Sequence, residues 1–119
     1  MRGSSRRPEQ VAETVRQVIA DAVARHVRDP RVGFVTITRV QVTSDLSLAR
    51  VRVSVLGEED ERERALEGLR SAAGFLRNKL SGVLSMRVVP ELRFELDRGP
   101  EHAARIAELL AEIKREEKP

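Results

Sequence analysis

Between Gly68 and Pro90 the chain carries Arg70, Arg77, Lys79 and Arg87, and no Asp or Glu. The same stretch places Gly74 inside the apolar stripe of what otherwise reads as a helix, and Gly82 beside Ser81. Cations without neighbouring acids attract phosphate, and the guanidinium fork can hold it through two parallel hydrogen bonds. Glycine inside a helix costs roughly 1 kcal/mol against alanine. Opening one helical turn there frees backbone amides and creates a new helix N-terminus, and both favour anions. Gly74 marks such a break, and Arg77, Asn78 and Lys79 flank it. On these residues alone two readings stay open. The break is a nucleic-acid site, or it is a structural kink in which Gly74 lets helix and sheet pack closely.

Other chemistries find little support. There is no Cys, hence no disulfide, thiol nucleophile or thiolate-held zinc. His26 and His102 have no second ligand at metal spacing and read as ordinary helix-end histidines. Asp45 falls in a turn, where its carboxylate can bond the backbone, and Asp97 is placed to start a helix. The acids between Glu58 and Glu67 read as a solvated helix face near an N-terminus, without the ligand pattern of a calcium loop. No phosphate-binding glycine loop of the known kinds occurs. The sequence therefore points to no catalytic residue, no metal, no cofactor and no small-molecule substrate. Stacking platforms built from exposed aromatics on strands are also unavailable, because Phe34, Phe75 and Phe94 are the only aromatics. Backbone clamping at a helix junction needs none.

The 119 residues suffice for one domain with a modest core. A chain without Cys, signal segment or membrane-length apolar run points to a reducing cytoplasm. Formal net charge is only +3, but it is segregated: Glu58–Glu67 balances at −4 and Gly68–Pro90 at +4. A GC-rich genome could account for the preference for Arg over Lys, but not for that segregation.

The elements that must position the cationic stretch follow from periodicity. Residues 8–27 read as a helix, with Val11, Val15, Val18 and Ala22 as its stripe and Ile19 and Val23 widening it. Residues 34–42 read as a strand whose blurred alternation implies a bulge or burial on both faces. Residues 49–55 alternate cleanly and should form an antiparallel hairpin with it. A broken helix spans 58–80 along Leu66, Leu69, Ala73, Leu76 and Leu80, with Gly74 and Phe75 interrupting. A third strand, 86–96, opens with Arg87 and carries Pro90 at its edge or beginning. A last helix starts at Gly99-Pro100, with Ala103, Ile106, Leu110 and Ile113 as its stripe. The crossover makes the second and third strands parallel. The expected domain is α+β: helix, two strands, kinked helix, strand, helix, with a three-stranded mixed sheet backed by helices. Residues 1–7 read as a flexible basic arm, 8–113 as the domain and 114–119 as a charged tail.

That order resembles a type II KH domain, and the chain more specifically resembles the bacterial ribosome-binding factor A family over nearly its whole length. Four stretches carry the resemblance: Asp29 to Val55, "SAAGFLR" (Ser71 to Arg77) with Ala72 and Gly74 as an Ala-x-Gly kink, "MRVVPELRFELD" (Met86 to Asp97), and the basic start at Arg6-Arg7. Met86 stands where the family more often has Leu. The resemblance implies a non-enzymatic factor that binds the immature 30S subunit and 16S rRNA and assists late maturation, 16S rRNA processing and growth in the cold. It implies RNA contacts at Ala72, Gly74, Arg77, Asn78, Lys79, Arg87, Arg6 and Arg7. The expected state is a cytoplasmic monomer off the ribosome, with no membrane partner. The competing reading is a protein–protein module docking through the kinked helix or the sheet face.

Overall fold

The computed structural model describes residues 7–116. Its elements are α1 (Pro8–Arg25), β1 (Val35–Val42), β2 (Leu48–Val55), α2 (Glu59–Ser71), α3 (Ala73–Leu84), β3 (Glu91–Leu96) and α4 (Gly99–Glu116). The sheet order is β1-β2-β3, with β1 antiparallel and β3 parallel to β2. The α+β architecture read from the sequence is therefore the one observed.

Helix α1 starts on Pro8, whose missing amide proton costs nothing in a first turn. Its buried face is Val11, Val15, Ile19 and Ala22, so the stripe centres on Ile19 rather than Val18. β2 runs through the middle of the sheet and buries Ala49, Val51, Val53 and Val55 against the helices. In β1 the register with β2 shifts between Ile37 and Arg39. This bulge explains the blurred alternation: the extra residue reverses parity, so Val35 and Ile37 before it and Val40 and Val42 after it all pack on the core. The hairpin turn is held by Asp45, whose Oδ1 accepts from the Ser47 amide at 3.1 Å and from the Thr43 hydroxyl at 2.7 Å. The amide bond makes an Asx-type turn, and the Thr43 hydroxyl, followed by the Ser47 hydroxyl and amide, holds the Asp45 carboxyl below the usual range.

Two boundaries differ from the expectation. β3 begins at Glu91, where the Glu91 amide donates to Ser47 O at 2.9 Å. The segment from Met86 to Pro90 is irregular, and Pro90, unable to donate to a ladder, is buried immediately before the strand. Arg87 thus stands in a loop. Helix α3 runs past Leu80 to Leu84 and stops at Ser85 in a left-handed conformation (φ 52°). Gly82 lies inside that helix and does not end it.

α4 departs further. Ile106, Leu110 and Ile113 form the expected stripe, joined by Leu109, but all four are exposed. Among the described residues, α4 is not packed extensively on any other element. Ala103, the first member of the expected stripe, has its side chain outside the described part, as do Arg6 and residues 117–119 entirely.

Candidate nucleic-acid interface

The leucine stripe continues across the helix junction: Leu66 and Leu69 of α2 and Leu76, Leu80 and Leu84 of α3 are all buried. Between them the helical ladder breaks at a single residue, Ala72 (φ −87°, ψ −1°). Its amide donates to Gly68 O and Leu69 O, both at 3.1 Å, and the Leu76 amide starts the next ladder on Ala72 O at 2.9 Å. The interruption is therefore at Ala72, two residues before Gly74, and is shorter than an opened turn. It still makes Ala73, Gly74 and Phe75 the first turn of a new helix, where amides lack partners within the helix. That turn contains no acid.

The close-packing explanation of Gly74 does not hold. A Cβ built on Gly74 meets nothing within 4 Å, whereas one on Gly68 falls 2.9 Å from Val32 Cγ2. The glycine demanded by packing is Gly68, and Gly74 faces open space. Neither spacing nor charge marks Gly68 in the sequence, because its neighbour Val32 is brought in by the loop between α1 and β1.

The side chains around the junction divide into two groups. On one flank of α3, Lys79 stands one turn beyond Phe75, and its Nζ lies 5.3 Å from the ring centroid, within cation–π range. On the other flank, Arg77 Nη2 donates to Val89 O at 3.1 Å, reaching the loop that carries Arg87. Arg87 is exposed, as is Asn78, whose carbonyl accepts from the Ser81 hydroxyl at 2.7 Å. Arg70 reaches Phe94 O at 3.4 Å. None of Arg70, Arg77, Lys79 and Arg87 is paired with a carboxylate among the described residues. Most other arginines of the domain are so paired, which leaves this surface with uncompensated positive charge.

Arg7 is not brought to the junction. It precedes Pro8, while His26, beside the junction, caps the other end of α1. By helix rise the two ends are roughly 27 Å apart. Arg6 lies outside the described residues.

Two features near the junction escaped the sequence reading. Phe75 is 45% exposed. Its position off the leucine stripe, one residue before Leu76, was the available signal. The second is a tie between elements. Arg31 bonds Asp29 through Nη2 at 2.6 Å and through its own amide at 2.9 Å, and it also reaches Ser71 Oγ at 3.2 Å. The guanidinium and amide of Arg31 hold the Asp29 carboxyl down at about 2. This clamp fastens the loop after α1 to the end of α2.

The helix–strand–strand–helix–helix–strand order, with a one-residue junction between the middle helices, defines a KH-like α+β domain. The family description "Ribosome-binding factor A" matches residues 7–110. The chain belongs to the ribosome-binding factor A family. Ribosome-binding factor A of Rhodopirellula baltica is 46% identical over 113 residues, covering 95% of this chain and 82% of the relative. That of Thermomicrobium roseum is 47% identical over 112 residues, covering 94% and 87%. The crystal structure of ribosome-binding factor A from Thermus thermophilus superposes with a TM-score of 0.69 at 27% identity, over 77% of this chain and 97% of that one. Coordinates of the Thermus thermophilus factor fitted into a cryo-electron microscopy map of its 30S complex are also similar. They give a TM-score of 0.61 at 29% identity, over 72% of this chain and 90% of that one.

Proposed function

We propose that this protein is a cytoplasmic assembly factor that binds the immature 30S subunit through 16S rRNA and assists its late maturation. The observation that carries the reading is the surface around the α2–α3 junction, built from a chain segment without acids, where the one carboxylate brought in from the loop after α1, Asp29, is taken up by Arg31. There a helix N-terminus and four cations without carboxylate partners lie beside an open glycine. Anions bind at helix N-termini through backbone amides and the helix dipole, and arginine and lysine add phosphate contacts. Family membership supplies the particular target, since the related Thermus thermophilus factor is described in a 30S complex. Gly74, whose missing Cβ is not required by packing, lets an RNA backbone approach closely. Arg77, Lys79 and Arg87 provide the charge, and Asn78 a polar neighbour. Binding without covalent chemistry acts by favouring one RNA conformation over another. Misfolded RNA escapes more slowly when thermal energy falls, so loss of such a binder weighs most in the cold and on 16S rRNA processing.

The test is sedimentation through a density gradient. The protein should comigrate with free 30S particles and not with 70S ribosomes. A deletion strain should accumulate free subunits and unprocessed 16S rRNA ends at low temperature. Normal processing and subunit ratios in the cold would overturn the maturation role. Absence from the 30S fractions would overturn the binding role.

A further inference from the structure

Beside the junction lies a shallow, open pocket of about 220 Å³, lined by His26, Arg28, Asp29, Ser71, Ala72 and Phe75 among others. We propose that it receives one unstacked nucleobase of the bound RNA, held against the ring of Phe75. The inference rests on the RNA-binding reading above and assigns that reading a contact to a base in addition to those to phosphate.

The size of the cavity fits a base. Pockets for drug-sized ligands run from roughly 300 to 1,000 Å³. This one is smaller and suits a one- or two-ring group.

The chemistry of its walls fits as well. Phe75 is the one phenylalanine of the pocket wall, which also holds the His26 imidazole, and it is half-exposed although the next residue, Leu76, is fully buried. Stacking on an aromatic face is the sequence-tolerant way in which proteins hold single-stranded bases. Lys79 lies over that ring, where it can meet the phosphate of the stacked nucleotide. Arg28 has no carboxylate partner among the described residues and adds a second cation at the rim. The one acid in the wall, Asp29, has both oxygens occupied by Arg31, so it presents little free negative charge. Ser71 accepts from Arg31, which leaves its hydroxyl hydrogen for a base acceptor.

The cavity is also placed where a base would arrive. Ala72 belongs both to its wall and to the helix junction. A nucleotide whose phosphate meets the first turn of α3 has its base within reach of the cavity.

The experiment uses the full chain, a short single-stranded oligoribonucleotide and an abasic oligomer of the same length. Phe75→Ala should weaken binding of the base-bearing RNA about five- to a hundredfold. It should lower the salt slope by no more than about 0.7, because at most the Lys79 phosphate contact is disturbed. The abasic oligomer should bind wild type and variant alike. The protein has no tryptophan, so Phe75→Trp creates a single fluorophore, and its emission should be quenched by base-bearing RNA but not by the abasic oligomer. If wild type binds RNA with a steep salt dependence but Phe75→Ala binds equally well, the base pocket is overturned and the RNA-binding reading stands. If the emission of Phe75→Trp responds equally to both oligomers, the pocket is likewise overturned. If wild type shows no salt-dependent RNA binding, the parent reading fails and the pocket with it.

Discussion

Helices α3 and α4 carry the same sequence signal and have opposite fates. Leu76, Leu80 and Leu84 recur every four residues in α3, and Ile106, Leu110 and Ile113 recur at four and three in α4. The first set is buried and the second exposed. Topology makes the difference. Helix α3 lies between two parallel strands and must return across the sheet to let β3 pair with β2, so its stripe is pressed onto the core. Helix α4 leaves β3, an edge strand already paired with β2, and strand pairing in this sheet does not oblige it to return. Its root is held where Arg98 pairs with Glu59 at 2.6 Å and the Gly99 amide donates to Asp97 Oδ1 at 2.9 Å. A 3.6-residue period shows that a helix has an apolar face. The chain's path decides whether that face is covered.

Truncating one leucine in each stripe should give the largest contrast. Leu80→Ala should cost about 2–5 kcal/mol of unfolding free energy, through lost burial and the cavity left behind. Leu110→Ala should change it by no more than about 0.5 kcal/mol, as for an ordinary surface substitution. Denaturant midpoints at constant slope measure both. A loss above about 2 kcal/mol for Leu110→Ala, the size expected of a buried leucine, would mean that α4 packs in solution.

The glycines draw the same line between covered and open positions within the junction itself. Gly68→Ala drives a methyl to within 2.9 Å of Val32 Cγ2 and should destabilise by about 1–3 kcal/mol through overpacking. Gly74→Ala has room and should stabilise by up to about 1 kcal/mol, as alanine is the better helix former. It should nevertheless weaken RNA binding, because the methyl projects where the backbone of the ligand approaches. Thermal melts and RNA titrations of the same two variants separate packing from function. Unchanged RNA binding by a stabilised Gly74→Ala would remove Gly74 from the interface.

The smallest effect concerns acid. The Asp29 carboxyl is held down from 3.8 to about 2 by its Arg31 partner. A depressed folded-state value means stability that is present above about pH 4 and lost as pH falls toward 2. Both side chains are solvent-accessible, so the effect is modest. Asp29→Asn should flatten this part of the stability–pH curve, measured by urea midpoints across the same acid range.

Much of the fold was legible because local patterns and topology agreed. The antiparallel hairpin and the parallel crossover followed from apolar spacing and connection rules, whereas the blurred alternation of β1 left a bulge and burial on both faces equally open until the register shift at Ile37/Arg39 decided for the bulge. The boundaries of β3 and α3 did not, because Ser85 adopts a left-handed conformation for which its residue type gives no warning. Of the site, the acid-free stretch and its four cations were visible as composition. The break itself falls at Ala72, two residues before the glycine that signals it. Glycine announces a weak helix position, whereas an alanine that ends a ladder does so through its surroundings. Gly68 against Val32, and Arg31 bridging Asp29 and Ser71, join residues far apart in the chain, and such contacts have no local signature.

Whether the junction surface binds RNA is decided by the salt dependence of 30S binding for wild type and for the double variant Arg77→Glu, Arg87→Glu. Arg77→Gln serves as the control for the lost bond to Val89 O. Each phosphate contact contributes about 0.7–0.9 to the slope of log affinity against log salt. Wild type should show a steep slope. The double variant should bind much more weakly, with a slope reduced by about 1.4–1.8 for two lost phosphate contacts and its fold intact by circular dichroism. Equal affinity and equal slope for the two folded proteins would contradict an RNA site at this junction.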